Sequence, residues 1–196
     1  MNIELKDGSK LVIDGPKSAY EIAKQIGERL AKVALVCKID GVLTSMREVI
    51  DHDCKFEVLT WNDDEAKAVC RHTASHILAQ AVRNVYPTVQ LAIGPSIENG
   101  FYYDFDFKTP ITQGDFEKIE AEMKAIIKAD MPIERKVVSR KEAESMLKKM
   151  KQTYKIELLA DIPEGEEISF YTQGDFIDLC AGPHLSSTGK VKEFKL

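Results

Sequence analysis

Two pairs of residues in this sequence have the types and spacing to do chemistry together. His72 and His76 are four apart in a stretch of helix-forming residues, and Cys180 and His184 are four apart around Ala181-Gly182-Pro183. Side chains at i and i+4 of a helix stand one above the other, so the two imidazoles share a face. The second pair cannot lie in regular helix, because Gly and Pro interrupt it. Three of the chain's 4 histidines fall in this set. A helix offering two nitrogens and a loop offering a sulfur and a third nitrogen form the donor set of a zinc site, and equally that of a metal-free hydrolytic pocket.

The elements that must position these groups can be read around them. At about 100° per residue, Cys70, Ala74, Ile77 and Ala81 make one apolar stripe, the expected core face of the helix. His72 and His76 project roughly opposite, toward solvent or a second concave surface, with Arg83 on their side. Phe176-Ile177-Asp178-Leu179 reads as a strand that turns Asp178 and Cys180 to one side. The Gly182-Pro183 turn then brings His184 back toward the same mouth. Asp178 has the chemistry to orient a histidine or to receive a substrate ammonium. Lys155 is expected where a helix gives way to a strand, which is the usual place of a solvated lysine. Tyr102 and Asp104 share a strand face and either line the pocket or face solvent. Cys37, Cys54, Cys70 and His52 read as structural.

Composition sets the wider frame. The 196 residues leave room for one ordinary domain and a small one, and 44% hydrophobic with 30% charged residues is the balance of a folded, water-soluble protein. No apolar run approaches the ~20 residues of a membrane span, and the alternating start of the chain is unlike a signal peptide. The 4 cysteines have no framework spacing, which points to free thiols in a reducing cytoplasm. The net charge of −5 supplies no global field for nucleic acid, although a site for the end of an RNA held elsewhere stays compatible with it.

The expected fold class is α+β in two parts. Residues 1–62 read as β-β-α-β-β-β, a ubiquitin-like β-grasp module. Its turns fall at Asp7-Gly8 and Asp40-Gly41, and a capping box at Ser18-Ala19-Tyr20-Glu21 opens one helix with Ile22, Ile26 and Leu30 at four-residue steps. Residues 63–196 read as a larger domain in which the long histidine-bearing helix lies against an antiparallel sheet. That domain would have a hairpin over residues 90–107, its second strand alternating Phe101, Tyr103, Phe105 and Phe107 on an apolar face with Tyr102, Asp104 and Asp106 on the other. A helix over about 114–128, a strand over 133–138 and a short helix opened by a second capping box at Ser139-Arg140-Lys141-Glu142 would follow. Strands and turns are expected from Tyr154 onward.

These residues also carry a family resemblance. His72-Thr73-Ala74-Ser75-His76, Ala92-Ile93-Gly94-Pro95, Glu98-Asn99-Gly100-Phe101-Tyr102-Tyr103-Asp104, Tyr154-Lys155 and Asp178-Leu179-Cys180-Ala181-Gly182-Pro183-His184 resemble, in order and spacing, the N-terminal region of bacterial threonyl-tRNA synthetases. The resemblance implies a TGS domain of β-grasp type followed by an editing domain shared with alanyl-tRNA synthetases. It implies proofreading within a threonine-tRNA ligase of protein biosynthesis: hydrolysis of serine mischarged onto threonine tRNA. In that carry-over His72 activates or positions water, and Lys155 polarises it or stabilises the oxyanion. His76, Cys180 and His184 shape the pocket, and Asp178 holds the aminoacyl ammonium, with Tyr102 and Asp104 as further substrate contacts. It implies a metal-free site, with zinc on His72, His76, Cys180 and His184 as the alternative known from alanine-type relatives. ATP and a structural zinc belong to the family's catalytic core, which this stretch does not include, so no ligase activity is expected of it. The implied partner is the acceptor end of threonine tRNA charged with serine, with no membrane, in the cytoplasm. The stretch itself would be monomeric, whereas the full-length family dimerises. Two competitors stand beside this reading: a zinc-dependent alanine-type editing protein, and a non-catalytic zinc-stapled adaptor docking on RNA or ribosomes.

Overall fold

Alternating apolar residues between tight turns build the sheet of the first third of the chain. The computed structural model describes residues 1–196 and divides them into two units, Met1–Cys70 with Pro183–Ser186 and Arg71–Gly182 with Ser187–Leu196. In the first unit β1 (Asn2–Leu5) turns at Asp7-Gly8 into β2 (Lys10–Val12). After β3 (Lys17–Ser18), the Ser18 hydroxyl accepts the Glu21 backbone N–H and the Glu21 carboxylate accepts that of Ser18. This reciprocal cap starts α1 (Ala19–Ile26). Next come α2 (Glu28–Val33), β4 (Val36–Ile39), β5 (Val42–Ser45), β6 (Val49–Ile50) and β7 (Cys54–Leu59). The β4–β5 turn holds Asp40 at φ 49° and Gly41 at φ 83°, the two positive angles that a two-residue hairpin with matching twist requires.

The five-stranded sheet runs β2-β1-β7-β4-β5, antiparallel except for the central β1–β7 pair, and β3 pairs separately with β6. Its core gathers Ile3, Ala19, Ile22, Ala23, Ala31, Cys37 and Phe56. One expectation is corrected here. The single helix breaks at Gly27, so the period restarts in α2; Ile26 is left exposed, and Ala31 rather than Leu30 is buried. Glycine is the weakest helix former after proline, and an extended residue at 27 ends the hydrogen-bond ladder.

α3 (Asp64–Val85) begins in the first unit and continues through the second. The Lys67 N–H reaches the Asp63 carbonyl, which makes Asp63 the residue that caps it. The expected stripe of Cys70, Ala74, Ile77 and Ala81 is buried, but so are Thr73, Ser75, His76, Gln80 and Val82, so the helix is enclosed on nearly every face. Four two-residue strands follow: β8 (Gln90–Leu91), β9 (Ser96–Ile97), β10 (Gly100–Phe101) and β11 (Phe105–Asp106). They form a long, interrupted hairpin turning at Glu98-Asn99 and held between its pieces by Ala92 and Asp104. α4 (Gln113–Ala129) opens on a second reciprocal cap, Thr112 with Asp115.

The rest of the second unit is a three-stranded antiparallel sheet with two helices. β12 (Ile133–Val138) leads into α5 (Arg140–Met150), whose Ser139 cap accepts the Glu142 N–H while Glu142 turns to Lys136 instead of closing a box. α6 (Thr153–Asp161) comes next, where a strand was expected. Lys155-Ile156-Glu157-Leu158-Leu159-Ala160 is rich in good helix formers, and helical spacing buries both Lys155 and Leu159. β13 (Ile168–Gln173) and β14 (Phe176–Leu179) complete the sheet in the order β12-β13-β14, packed on a core of Val138, Ala143, Leu147, Leu159 and Phe170. The architecture is α+β, and no helix is long and apolar enough to cross a membrane.

Candidate functional site

The second unit brings α3, α6, β14 and the 90–107 hairpin to one cavity of about 480 Å³, a size typical of small-molecule pockets. α3 contributes His72 and His76, with ring centroids 5.2 Å apart and nearly perpendicular, as the four-residue spacing requires. His72 Nε2 lies 3.4 Å from Cys180 Sγ. The donor atoms of His72, His76 and Cys180 all lie within 4.8 Å of one another. His76 is only 4% exposed. Burial pushes its imidazole well below the usual 6.5, and His72 and Lys155 push the same way, so the ring is held neutral.

At the centre is a buried carboxylate with three partners. Asp178 Oδ1 is 2.7 Å from Lys155 Nζ, and both side chains are about 95% or more enclosed, at 2% and 5% exposure. Asp178 Oδ2 accepts the Tyr103 hydroxyl at 2.7 Å and lies 3.6 Å from His76 Nε2. Lys155 also reaches the Leu179 carbonyl and sits 5.4 Å over the Tyr103 ring. Such a buried pair is tolerable only because each charge is hydrogen-bonded as well as neutralised. Burial, and then the Asp178 charge, raise the Tyr103 hydroxyl well above its ordinary value, so Tyr103 stays a donor.

Cys180 is arranged as a neutral thiol. Burial first and Asp178 second push it up to about 12, although the Gly182 N–H at 3.3 Å and Lys155 pull the other way. A thiol so raised is not a ready nucleophile near neutral pH. The turn after it depends on glycine: Gly182 has φ +72°, and a Cβ there would overlap the Tyr171 hydroxyl. On the opposite wall a Cβ on Gly94 would overlap the Tyr103 ring, and the Ser75 hydroxyl donates to the Gly94 carbonyl at 2.5 Å. The rim is aliphatic at Ile93, Pro95, Leu158 and Ile162 and acidic at Glu166 and Glu167.

Of the residues singled out in the sequence, His72, His76, Lys155, Asp178 and Cys180 all line this cavity. His184 is buried and belongs to the Pro183–Ser186 segment of the first unit. Tyr102 and Asp104 are exposed and lie outside the lining. Arg83 lies outside it too, pairing with Asp175 at 3.3 Å and stacking over Phe176. Lys155 stands on a helix facing the pocket, not at a solvated helix-to-strand junction. Sequence reasoning missed Tyr103, which the strand alternation assigned to the apolar face. The available signal was a phenol on a core-facing position, which needs a polar partner.

The donor set fits zinc in kind. A tetrahedral ion with nitrogen and sulfur ligands at about 2.0–2.3 Å needs donors about 3.3–3.8 Å apart, within reach of the present cluster by small side-chain rotations. A neutral His76 suits it, whereas Cys180 would have to lose its proton. Zinc would there act as a structural staple or polarise a bound water.

Comparison with known proteins gives two findings. Residues 168–196 match the family described as the threonyl and alanyl tRNA synthetase second additional domain. Over its whole length the chain is similar to threonine–tRNA ligases: 52% identical to that of Caldanaerobacter subterraneus, 50% to that of Acetivibrio thermocellus and 49% to that of Clostridioides difficile. It spans 30%, 31% and 31% of the length of these relatives.

Proposed function

We propose that this chain is the proofreading portion of a threonyl-tRNA synthetase, a TGS domain over residues 1–62 followed by an editing domain over residues 63–196. In this reading its cavity hydrolyses the seryl ester of mischarged threonine tRNA. The β2-β1-β7-β4-β5 sheet order with its central parallel pair supports the β-grasp assignment of the first part. The observation that carries the functional reading is the buried Lys155–Asp178 pair set beside the His72–Cys180 contact in one cavity. Buried, paired titratable groups converging on a concavity mark a site rather than a core. The need for such a site follows from discrimination: threonine and serine differ by one methyl, and that is worth only about 1–3 kcal/mol to a binding pocket.

The residues divide the work as follows. His72, less enclosed than His76, accepts a proton from the attacking water or orients it. Lys155, fixed by Asp178, donates to that water or to the developing oxyanion. Asp178 faces the substrate ammonium while holding Lys155, and neutral His76 and thiol Cys180 shape the pocket around ester and adenosine. The extra methyl of threonine displaces the water, so threonyl ester survives. Tyr102 and Asp104 lie on the outer hairpin face, where they would meet tRNA beyond its terminal ester. The reaction in this reading is metal-free, with the Lys155 ammonium in the place of a metal ion as the cation that polarises the water. The partner is the acceptor end of threonine tRNA carrying serine, in the cytoplasm, with the rest of a homodimeric ligase supplying aminoacylation and its ATP.

Deacylation of seryl- and threonyl-esters of threonine tRNA, with and without a chelator, tests this for wild type and His72→Ala. Selective loss of the seryl ester that survives chelation and falls at least about a hundred-fold in the variant is expected. Activity that vanishes with chelator and returns with zinc replaces the metal-free mechanism with the zinc alternative. A short seryl-RNA mimic left intact at high protein concentration refutes the editing reading.

A further inference from the structure

One turn of α3 beyond His76, outside the cavity lining, lies a buried pair of amides that the chemistry above does not use. Gln80 and Gln173 are each 2% exposed. Gln173 Nε2 donates to Gln80 Oε1 at 2.8 Å and to the backbone carbonyl of His76 at 3.3 Å, and Gln80 Nε2 donates back to the Gln173 carbonyl at 3.3 Å. Both hydrogens of the Gln173 amide are therefore engaged. Two long polar side chains in an otherwise apolar layer are an expensive choice for packing alone, because amide desolvation is recovered only if the geometry is kept.

The placement of the pair explains that choice. His72, His76 and Gln80 stand at i, i+4 and i+8 on one stripe of α3. Gln173 ends β13 and pairs with Phe176, two residues before Asp178 and four before Cys180 on the same hairpin. The His76 ring meets Phe176 edge-on at 6.2 Å. One element thus carries the imidazoles and the other carries the carboxylate and the thiol, and apolar contacts between a helix and a sheet do not by themselves fix axial register. A slip of one residue along α3 moves each imidazole by 1.5 Å and turns it by 100°. We propose that Gln80 and Gln173 are positioning residues: a directional amide clamp that sets the register of α3 on the β13–β14 hairpin and so holds His72 and His76 at their distances from Cys180 and Asp178. For its catalytic consequence this inference rests on the editing reading above; for its geometry it does not.

The test uses Gln173→Leu and the double variant Gln80→Leu/Gln173→Leu, with seryl-ester hydrolysis, thermal unfolding and NMR of the histidine ring protons. The single variant keeps the bond from Gln80 Nε2 to the backbone carbonyl of residue 173 but leaves the buried Gln80 Oε1 without its donor, and should lose thermal stability. The double variant replaces both amides with apolar groups and should regain it. A merely structural pair predicts that activity returns with stability. A clamp predicts that it does not: kcat stays roughly ten- to a hundred-fold down with KM nearly unchanged, as expected of a sub-ångström misplacement. The His72 and His76 ring protons should also shift in the stable double variant, because their distances to Phe176 and Tyr103 change. Recovery of kcat in the double variant, or unmoved ring protons, overturns the proposal. Should wild type show no hydrolysis, the editing reading fails and the ring protons alone decide the clamp.

Discussion

Removing the charge of Asp178 should destabilise the second unit as well as disturb its chemistry. At 2.7 Å the Lys155–Asp178 attraction is about 6 kcal/mol gross, taking an effective dielectric of about 20. Asp178→Asn keeps the shape and can still accept the Tyr103 hydroxyl, but it leaves an ammonium 5% exposed without its counter-ion. Desolvation already offsets part of the gross attraction, so the expected net loss is about 3–5 kcal/mol. For a chain of this length that corresponds to roughly 6–20 °C in Tm. Lys155→Met should cost a similar amount, by stranding the carboxylate. The decisive quantity is the coupling: Lys155→Met/Asp178→Asn removes both charges, so it should be less destabilised than the sum of the single variants by at least about 2 kcal/mol. Urea unfolding at pH 7.5, followed by circular dichroism, measures all three. Additive losses, or single variants within about 1 kcal/mol of wild type, would show that the pair is solvent-screened and refute the picture of a buried, preorganised lysine.

Two further outcomes follow from the same geometry. His76 is held neutral by burial, with its folded value well below 6.5, so unfolding takes up a proton as the pH drops. Stability is therefore complete above about pH 6.5 and falls below it, by up to about 1.4 kcal/mol per pH unit relative to His76→Gln, which has nothing to titrate; parallel wild-type and variant unfolding curves between pH 7 and 5 would contradict this. Gly182→Ala combines a left-handed backbone with a Cβ that overlaps the Tyr171 hydroxyl, and should cost about 2–4 kcal/mol. A Tm within 2 °C of wild type would show that the 180–184 turn relaxes freely.

The local chemistry of this chain was legible residue by residue. The Ser18 cap, the Asp7-Gly8 and Asp40-Gly41 turns, the alternation through Phe101–Phe107 and the long helix over His72 and His76 each depend on neighbours a few residues away, which is where sequence patterns carry their signal. The errors have the same origin. The four-residue step from Ile22 to Leu30 runs across Gly27 as if unbroken, and the nine residues of α6 are too few to show a helical period. A strand at that point puts Lys155 at a solvated junction, whereas the enclosure of α6 buries it against Asp178.

By itself, then, the sequence determined which side chains could do chemistry and which of them shared a face: His72 with His76 by helical spacing, Asp178 with Cys180 by strand alternation. Whether those faces meet depends on contacts such as Tyr103 to Asp178, Gln80 to Gln173 and His72 to Cys180, which span 75, 93 and 108 residues. No local propensity encodes such a separation. Packing of the helix on the hairpin decides it, because only burial makes an unpaired phenol, amide or ammonium costly enough to demand one particular partner.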